Sequence, residues 1–439
     1  MTSRVSIFIF LIISSIVNGQ TDLTAKEAVF KALENNFQIQ VANKQHEINE
    51  YNNKWSQAGA FPTVTLSVAN NNTIQDNTNN PFTFTPGIIL SQSLNPSLNA
   101  DWNIFSGFAV RMSKQRLEQL EEQSANNALA VIETTIQDVL KAYYTAQLQN
   151  ERRILFNSVL ELSRERFKYY ELKEKYSSSN SLELMQFKNQ YLTDSINLIM
   201  QEISHSNSQR NLKLLMNDST DVVYNLTDNL ELAITEIDLE NAEAQLFENN
   251  ANLKNQYISM ELQRTNTSLQ RSFLYPTLTF QAGVNPGWNW IREIKDDAFE
   301  ADTRSLVYYG NLNLRYTLFN NWQNKRAVEV SKIQEEVAQL NIDEMKQTLS
   351  STLENLIALY DARSKLVNIS TENIEYAKQT YELGSKRFDL GSINSIDLTN
   401  LQNNYQNTMI THYENLFNKL DTYLEIYKLT GKLALQYTK

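Results

Sequence analysis

The sequence predicts a mainly α-helical chain with a small β contribution, in which one plan of helix, β-hairpin and long helical hairpin occurs twice. Three observations predict this class. The 439 residues include only 10 glycines and 6 prolines, and few helix breakers over such a length favour long helices. Two pairs of segments alternate polar and apolar residues as strands do. Matching residues recur along the chain at one constant offset.

The internal repeat has an offset of 214 residues, the distance from Glu34 to Glu248. Other identical residues at this offset are Pro62 and Pro276, Leu98 and Leu312, Phe105 and Phe319, Tyr191 and Tyr405, and Leu215 and Leu429. The register drifts slightly between about 140 and 176, as small insertions in long helices would cause. We therefore predict a first repeat over 20–220, a linker over 221–236 and a second repeat over 237–439.

Residues 1–19 are predicted to be a secretory signal peptide. A short basic start is followed by a nearly all-apolar run from Val5 to Val17, and Gly19 offers a small residue for cleavage. A membrane anchor is the alternative, but the run is shorter than the ~20 residues that a spanning helix needs. Since residue 20 is Gln, no lipid-bearing cysteine opens the mature chain.

The alternating segments predict one β-hairpin at about 61–105 and another at about 275–319. Polar and apolar residues alternate from Thr63 to Val68, and again from Thr277 to Ala282. In the returning strand of the first copy, one face is apolar and consists of Leu98, Ala100, Trp102 and Ile104. Asn- and Pro-rich stretches, 70–86 and 285–303, are predicted to be long loops between the strands.

A membrane barrel and a soluble sandwich both fit this alternation. Four predicted strands are too few for a sandwich core in so long a chain. Aromatic residues near the strand ends suit a membrane interface, and these are Trp102, Phe108, Tyr316 and Trp322. Because an open sheet edge is not tolerated in lipid, the membrane interpretation requires several copies, and three copies would supply twelve strands.

The long helices are the second large feature of the chain. After Gly107 there is no proline or glycine before about Tyr176, and a helix of that length measures roughly 100 Å at 1.5 Å per residue. Apolar residues recur at spacings of three and four, as in coiled coils. Such a helix needs a bundle or a tube. A rod-like scaffold or a periplasmic coiled-coil adaptor is the alternative, although the repeated strand pairs count against it.

Composition and motifs argue against several classes of protein. The chain has 39 basic and 50 acidic side chains, whereas a nucleic-acid surface needs clustered Lys and Arg. It has no cysteine, which excludes disulfides and thiolate metal sites. The three histidines are isolated and no phosphate-binding loop occurs. We therefore predict no enzyme, no cofactor and no metal site.

Four local signatures resemble the TolC-type outer-membrane efflux family. Residues 61–64 (F-P-T-V) and 275–278 (Y-P-T-L) resemble the motif that opens its outgoing strands. The returning strands end with a second motif, at 102–107 (W-N-I-F-S-G) and 316–321 (Y-T-L-F-N-N). Residues 23–36 resemble the family's first helix, and residues 381–398 resemble the tip of its second helical hairpin. The resemblance covers essentially the whole mature chain.

This resemblance implies a homotrimer in the outer membrane of a Gram-negative bacterium, with a large periplasmic portion. A twelve-stranded transmembrane β-barrel, in contact with outer-membrane lipid, would continue into a helical tunnel. The duct would passively conduct substrates from an inner-membrane pump, through a periplasmic adaptor, in efflux or type I secretion. Neither the exported substrate nor the pump type follows from the residues.

The tips of the helical hairpins carry the candidate pore and docking residues. Candidates for pore constriction or gating are Asp397, Glu183 and Asp389, and candidates for adaptor docking are Leu390, Gly391, Ser392, Ser178 and Asn180. An acidic ring would attract cations, but a carboxylate in the first helical turn also complements the helix dipole. Gly391 is predicted to adopt a left-handed conformation, for which the shorter first tip has no equivalent glycine.

Asp101 and Arg315 differ by the repeat offset and fall on the polar faces of equivalent strands. In a barrel, those faces line the lumen. One strand is expected to lie between them, which leaves contact through long side chains open. Solvated lumen residues without mutual contact are the plain alternative.

Overall fold

The computed structural model describes residues 21–84, 86–176, 181–220, 222–230, 239–295 and 299–437. The predicted leader, residues 221 and 231–236 of the predicted linker, Ser178 and Asn180 lie outside these residues. The elements of the first half are β1 (Thr21–Leu23), α1 (Ala25–Asn35), α2 (Phe37–Asn52), β2 (Thr63–Asp76), β3 (Ile88–Ser106), α3 (Ala109–Tyr176) and α4 (Ser181–Leu215). Those of the second half are β4 (Tyr224–Leu226), α5 (Leu239–Asn249), α6 (Ala251–Ser272), β5 (Thr277–Glu293), β6 (Glu300–Arg315), α7 (Gln323–Asp389), α8 (Ser395–Leu429) and α9 (Lys432–Tyr437).

Two compact units divide the chain. The first unit, here the helical unit, comprises residues 1–42, 128–251 and 346–439, and the second, here the sheet unit, comprises 43–127 and 252–345. No helix in the described part of the chain is long and apolar enough to cross a membrane.

The predicted long helices are confirmed, with 68 residues in α3 and 67 in α7. Each predicted first helix of a repeat is instead two helices, broken at Asn36 and at Asn250. The Asn36 carboxamide oxygen accepts from the backbone N–H of Gln38 at 2.8 Å, which starts α2. Its Nδ2 donates to the Leu215 carbonyl at 2.8 Å. This side chain therefore both breaks the helix and satisfies the end of α4.

The sheet unit contains an antiparallel sheet in the order β2–β3–β5–β6. The strands run 14 to 19 residues and include 70–76, 285–293 and 300–303. The predicted loops over 70–86 and 285–303 are therefore shorter than expected, and the prediction of long loops across these whole stretches was wrong. Asn70–Asn72 pair with Leu94–Gln92 in regular register. Composition suggested loops because Asn and Pro are rare in strands, but backbone pairing with the neighbouring strand overrides that preference.

The β3–β5 ladder has two irregularities. Pairing is interrupted between Leu94 and Leu98, where Pro96 and Pro286 would face each other. Neither proline has a backbone N–H to donate, so a gap is the expected result. A bulge between Asn103 and Phe105 then places Phe105, rather than Ile104, opposite Leu278 on the apolar face.

Backbone pairing gives the sheet one polar and one apolar face. The apolar face is exposed on the outer strands, with Leu66 71% and Leu312 65% accessible. It also includes Val64, Val68, Leu98, Trp102, Tyr308 and Leu314. No strand of the described residues pairs with the outer edge of β2 or of β6. A soluble sheet would bury such a face, because exposed apolar surface costs about 25 cal/mol per Å².

The core of the helical unit is organised around Tyr143, which is fully buried. Its hydroxyl donates to the Leu23 carbonyl at 2.8 Å and accepts from the N–H groups of Thr227 and Asp228, each at 3.1 Å. These bonds hold β1 against β4, a parallel pair that the sequence analysis did not predict. Strands of three residues are too short to show an alternating pattern.

Candidate functional site

The three predicted pore residues lie around one cavity of the helical unit, here the tip cavity. Glu183 is in the first turn of α4, Asp389 ends α7, and Asp397 is in the first turn of α8. All three line this cavity of about 940 Å³, together with the predicted docking residues Gly391 and Ser392. Leu390, the other described docking candidate, is 81% exposed.

Basic residues that the sequence analysis missed also line the tip cavity. Arg166 and Lys173 enter from α3, beside Glu165. The cavity therefore has mixed charge, with more carboxylates than cations. No motif marks Arg166 or Lys173 in the sequence, and only the packing of α3 against the other tip helices reveals them.

Local hydrogen bonds define the second tip turn. Gly391 has φ +73°, which confirms its predicted left-handed conformation. Its N–H donates to the Phe388 carbonyl and that of Ser392 donates to the Arg387 carbonyl, both at 2.8 Å. This pair of bonds is a Schellman motif. The Asn394 side chain then accepts from the N–H of Asp397 at 2.8 Å and caps α8.

Replacing Gly391 with alanine is expected to destabilise the tip by about 1–2 kcal/mol, the cost of a left-handed conformation for an L-residue. No atom lies within 4 Å of where the new Cβ would stand, so the cost is conformational and not steric. Gly391→Asn is the matched control, because Asn tolerates this conformation better. Hydrogen exchange of 386–398 should rise in the alanine variant and rise less in the asparagine variant. Equal exchange in the two variants would contradict the argument.

Aromatic packing joins three of the four tip helices, α3, α4 and α7. The Tyr170 ring of α3 lies 4.6 Å from that of Phe187 in α4 and 6.2 Å from that of Phe388 in α7. Phe187 and Phe388 are 5.9 Å apart. Burial raises the pKa of the Tyr170 hydroxyl, and the carboxylates of Glu183 and Asp389 raise it further. Both carboxylates therefore act electrostatically on the same ring.

Polar contacts add a second tie between the two hairpins. The Ser395 hydroxyl of α8 donates to the Gln186 side chain of α4 at 2.5 Å. The Arg166 guanidinium donates to the Tyr381 hydroxyl at 2.7 Å and to the Gln402 carboxamide oxygen. In the described part of the chain, no three His, Asp or Glu side chains are placed to hold a metal ion. These hydrogen bonds join α3 and α4 of the first hairpin to α7 and α8 of the second.

Asp101 and Arg315 lie on the polar face of the sheet, on β3 and β6, with β5 between them. Asp101 pairs with Gln281 of β5, whose Nε2 donates to its carboxylate at 2.8 Å. Arg315 pairs with Thr277, four residues further along β5. That offset is about 13 Å at 3.3 Å per residue, so the two side chains do not face each other across the ladder.

The predicted interface aromatics take two forms. The Trp102 indole N–H donates to the Ala60 carbonyl at 3.0 Å, and Tyr316 is exposed just after β6. Phe108 and Trp322 instead have positive φ, 70° and 61°. Their rings pack edge-to-face on Phe105 and Phe319 respectively. These two aromatics therefore close the turns from strand to long helix.

Comparison with solved structures shows the fold. The chain resembles CusC with a TM-score of 0.76 and 12% identity, over 94% of this chain and 93% of that one. It resembles the CmeC outer membrane channel of Campylobacter jejuni with a TM-score of 0.73 and 14% identity, over 93% of this chain and 85% of that one. It resembles the open state of the MtrE outer membrane channel of Neisseria gonorrhoeae with a TM-score of 0.69 and 16% identity, over 93% of this chain and 89% of that one.

Sequence comparison identifies the family. No curated protein sequence is similar enough to the chain to count as a relative. The model of the outer membrane efflux protein family, however, matches residues 29–218 and again 240–432. These two matches cover most of the chain. The chain belongs to the outer membrane efflux protein family.

Proposed function

We propose that three copies of this chain form an outer-membrane exit duct, which passively conducts substrates delivered by an inner-membrane pump through a periplasmic adaptor. The observation that carries the proposal is the sheet, with its exposed apolar face and its two open edges. In lipid the apolar face is stable, but the edges must be paired. Pairing β6 of one copy with β2 of the next, three times, gives a closed barrel of twelve strands, an even number within the known range.

Trimer formation is supported by an apolar stripe on α4. Its exposed members recur at spacings of three, four and seven, and they are Leu182, Met185, Leu192, Ile196, Ile199 and Ile203. The other side of α4 is buried within the same chain at Phe187, Asp194 and Gln201. A helix with one buried face and a second, apolar, exposed face is expected to pack on another helix.

The long helix α7 offers a face that suits this stripe. Its exposed apolar residues follow heptad spacing and include Leu359, Leu366, Ile369, Tyr376 and Leu383. We propose that α4 of one copy packs along α7 of the next, as in a coiled coil. Repeated around three copies, these contacts would enclose a helical tunnel in the periplasm.

Duplication of one plan is supported by four geometric matches at the offset of 214. Asn250 donates to the Leu429 carbonyl as Asn36 does to that of Leu215. Positive φ occurs at residues 107 and 108 and again at 321 and 322. The edge-to-face pairs after β3 and β6 also correspond. Phe167 stacks on Tyr191 at 5.8 Å, and Tyr381 stacks on Tyr405 at 5.9 Å. The two repeats are thus proposed to run over 20–220 and 237–439.

The tip cavity is proposed to be the gated, adaptor-docking end of the duct. Its acidic side chains come from both repeats, so a trimer would present them around one mouth. Leu390 and Ser392 on the exposed turn would contact the adaptor. Carboxylates around a narrow mouth attract cations and favour their passage.

Charge reversal at Asp397 should reduce the cation selectivity of single channels. Asp397→Lys would replace three carboxylates of the mouth with three ammonium groups, whereas Asp397→Asn would only neutralise them. The expected order of cation preference in planar bilayers is wild type, then Asn, then Lys. Glu202→Lys is the matched control, because this exposed residue of α4 does not line the tip cavity. Unchanged selectivity in the Asp397→Lys channel would remove Asp397 from the pore lining.

Electron microscopy of the detergent-extracted protein tests the whole proposal. A three-fold particle, recovered from the outer-membrane fraction and conducting ions after reconstitution, is the expected result. The alternative, a periplasmic adaptor or scaffold, predicts release from membranes by carbonate and no conductance. A monomer without conductance would reject the duct.

A further inference from the structure

Asp194 is a buried carboxyl group for which the duct itself has no use. It lies on α4 and is only 2% exposed. Gln190, one turn earlier, donates to its Oδ1 at 2.9 Å. Its Oδ2 has no hydrogen-bond partner among the described residues. Ser163 of α3 faces the carboxyl group, but the Ser163 hydroxyl donates to the Leu160 carbonyl at 3.1 Å.

Burial is the main influence on this group. Desolvation raises the pKa of Asp194, while Ser163, Gln190 and the positive charge of Arg166 oppose that rise. The charged side chain that influences the pKa of Asp194 is Arg166 of the neighbouring helix α3, whose positive charge lowers it. From the second hairpin, Tyr381 and Gln402 reach the same region through their bonds to Arg166.

Arg166 bonds to neutral acceptors on the second hairpin and acts electrostatically on Asp194. As observed, its guanidinium bonds to Tyr381 of α7 and Gln402 of α8, and it lies 5.9 Å from the centre of the Tyr381 ring. In this position it ties the first hairpin to the second. An ionised Asp194 offers an anionic acceptor, and hydrogen bonds between charged groups are roughly twice as strong as neutral ones.

The second repeat shows that this carboxyl group is not needed for packing. The stacked pairs Phe167–Tyr191 and Tyr381–Tyr405 fix the correspondence of the two hairpins in this region. At the position equivalent to Asp194, the second repeat has Thr408, whose hydroxyl bonds to its own helix. At that of Ser163 it has the buried Ala377. A neutral side chain is thus sufficient between these helices.

We propose that Asp194 is a proton-operated switch that controls whether Arg166 ties the two hairpins of a protomer together. While Asp194 is protonated, Arg166 bonds to Tyr381 and Gln402. When Asp194 releases its proton to solvent, the carboxylate attracts Arg166 and the tie to α7 and α8 is lost. This switch goes beyond the proposed duct function, and its test needs no conductance.

The direction of the pH effect follows from linkage. Because the folded state raises the pKa of Asp194, the folded chain holds this proton more tightly than the unfolded chain. Stability is therefore lost as pH rises from the ordinary carboxyl range through the raised pKa. The bonds from Arg166 to Tyr381 and Gln402 should be formed at the acidic end of that interval and broken at the alkaline end.

Spin labels provide a direct test, since the chain has no cysteine of its own. Labelled cysteines at Lys168 on α3 and Lys378 on α7, both exposed, report the distance between the hairpins in the detergent-solubilised full chain. From about pH 4 to about pH 8, across the range of carboxyl titration, the wild-type distance should lengthen by a few ångström. The D194N variant should keep the short distance at every pH. So should D194T, which carries the residue that the second repeat has at the equivalent position.

A second measurement separates the switch from general loosening. The thermal midpoint of the wild type should fall relative to that of D194N as pH rises over the same interval. R166Q should have the long distance at every pH, because the tie cannot form. A wild-type distance that does not change with pH would overturn the proposal, as would an unaltered pH response in D194N.

Discussion

Arginine substitutions at Leu66 and Leu312 are expected to prevent stable assembly in the outer membrane. These exposed leucines lie on the apolar face of β2 and β6, which we assign to lipid contact. An arginine on a lipid-facing strand costs about 2–4 kcal/mol at the middle of the bilayer and less near the interfaces. A trimer of the double variant would carry six such arginines, and each adds its own cost. The double variant should be absent from the outer-membrane fraction.

Matched controls are available on the other face of the same strands. Thr65→Arg and Asn311→Arg introduce the same side chain one residue away, where alternation places it on the polar face. In a barrel that face is wet, so the control double variant should assemble and show altered conductance. Equal loss of both double variants would show only that arginine disturbs the strands. Normal assembly of the Leu66 and Leu312 variant would contradict the lipid assignment.

Aspartate substitutions at Ile196 and Ile199 are expected to dissociate the trimer. Both isoleucines are exposed in the single chain and belong to the apolar stripe of α4. Burying such a side chain contributes roughly 1.5–3 kcal/mol, and burying an unpaired carboxylate instead is strongly unfavourable. The double change acts in all three interfaces. Native mass spectrometry in detergent should show monomer where the wild type shows trimer.

Ser204→Asp is the control for that experiment. Ser204 is exposed but lies about 100° around the helix from Ile203 and about 140° from Ile199, outside the stripe. The trimer should persist in this variant, since the added charge stays in water. If Ile196→Asp with Ile199→Asp leaves the trimer intact, α4 does not form the interface and the proposed contact with α7 is wrong.

Features that depend on neighbours along the chain could be predicted from the sequence. Long helices follow from the scarcity of glycine and proline, and α3 and α7 extend nearly as far as expected. The left-handed Gly391 was predictable because its turn is closed by hydrogen bonds within six residues. Even there, the sequence did not reveal that Asn36 and Asn250 break the first helix of each repeat.

The strands are longer than the sequence predicts, for a physical reason. Stretches rich in asparagine lack the alternation and the β-branched residues that indicate strands. Their backbone groups are nevertheless paired with the neighbouring strand, as at Asn70–Asn72. Register with a strand some twenty residues away is a tertiary property, so composition alone gave loops where the chain forms strands.

In the candidate site, too, some features follow from local sequence and others from tertiary packing. The repeated plan is predicted from matches at one offset along the sequence. Sequence alone determined the long helices, the alternating faces of the strands and the acidic residues at the tip helices, because each is set by local spacing and turn chemistry. Only the tertiary structure decided that Glu183, Asp389 and Asp397 share one cavity with Arg166, and that Asp194 is buried beside α3. Burial and charge proximity depend on which distant segments pack together, and no local pattern encodes that choice.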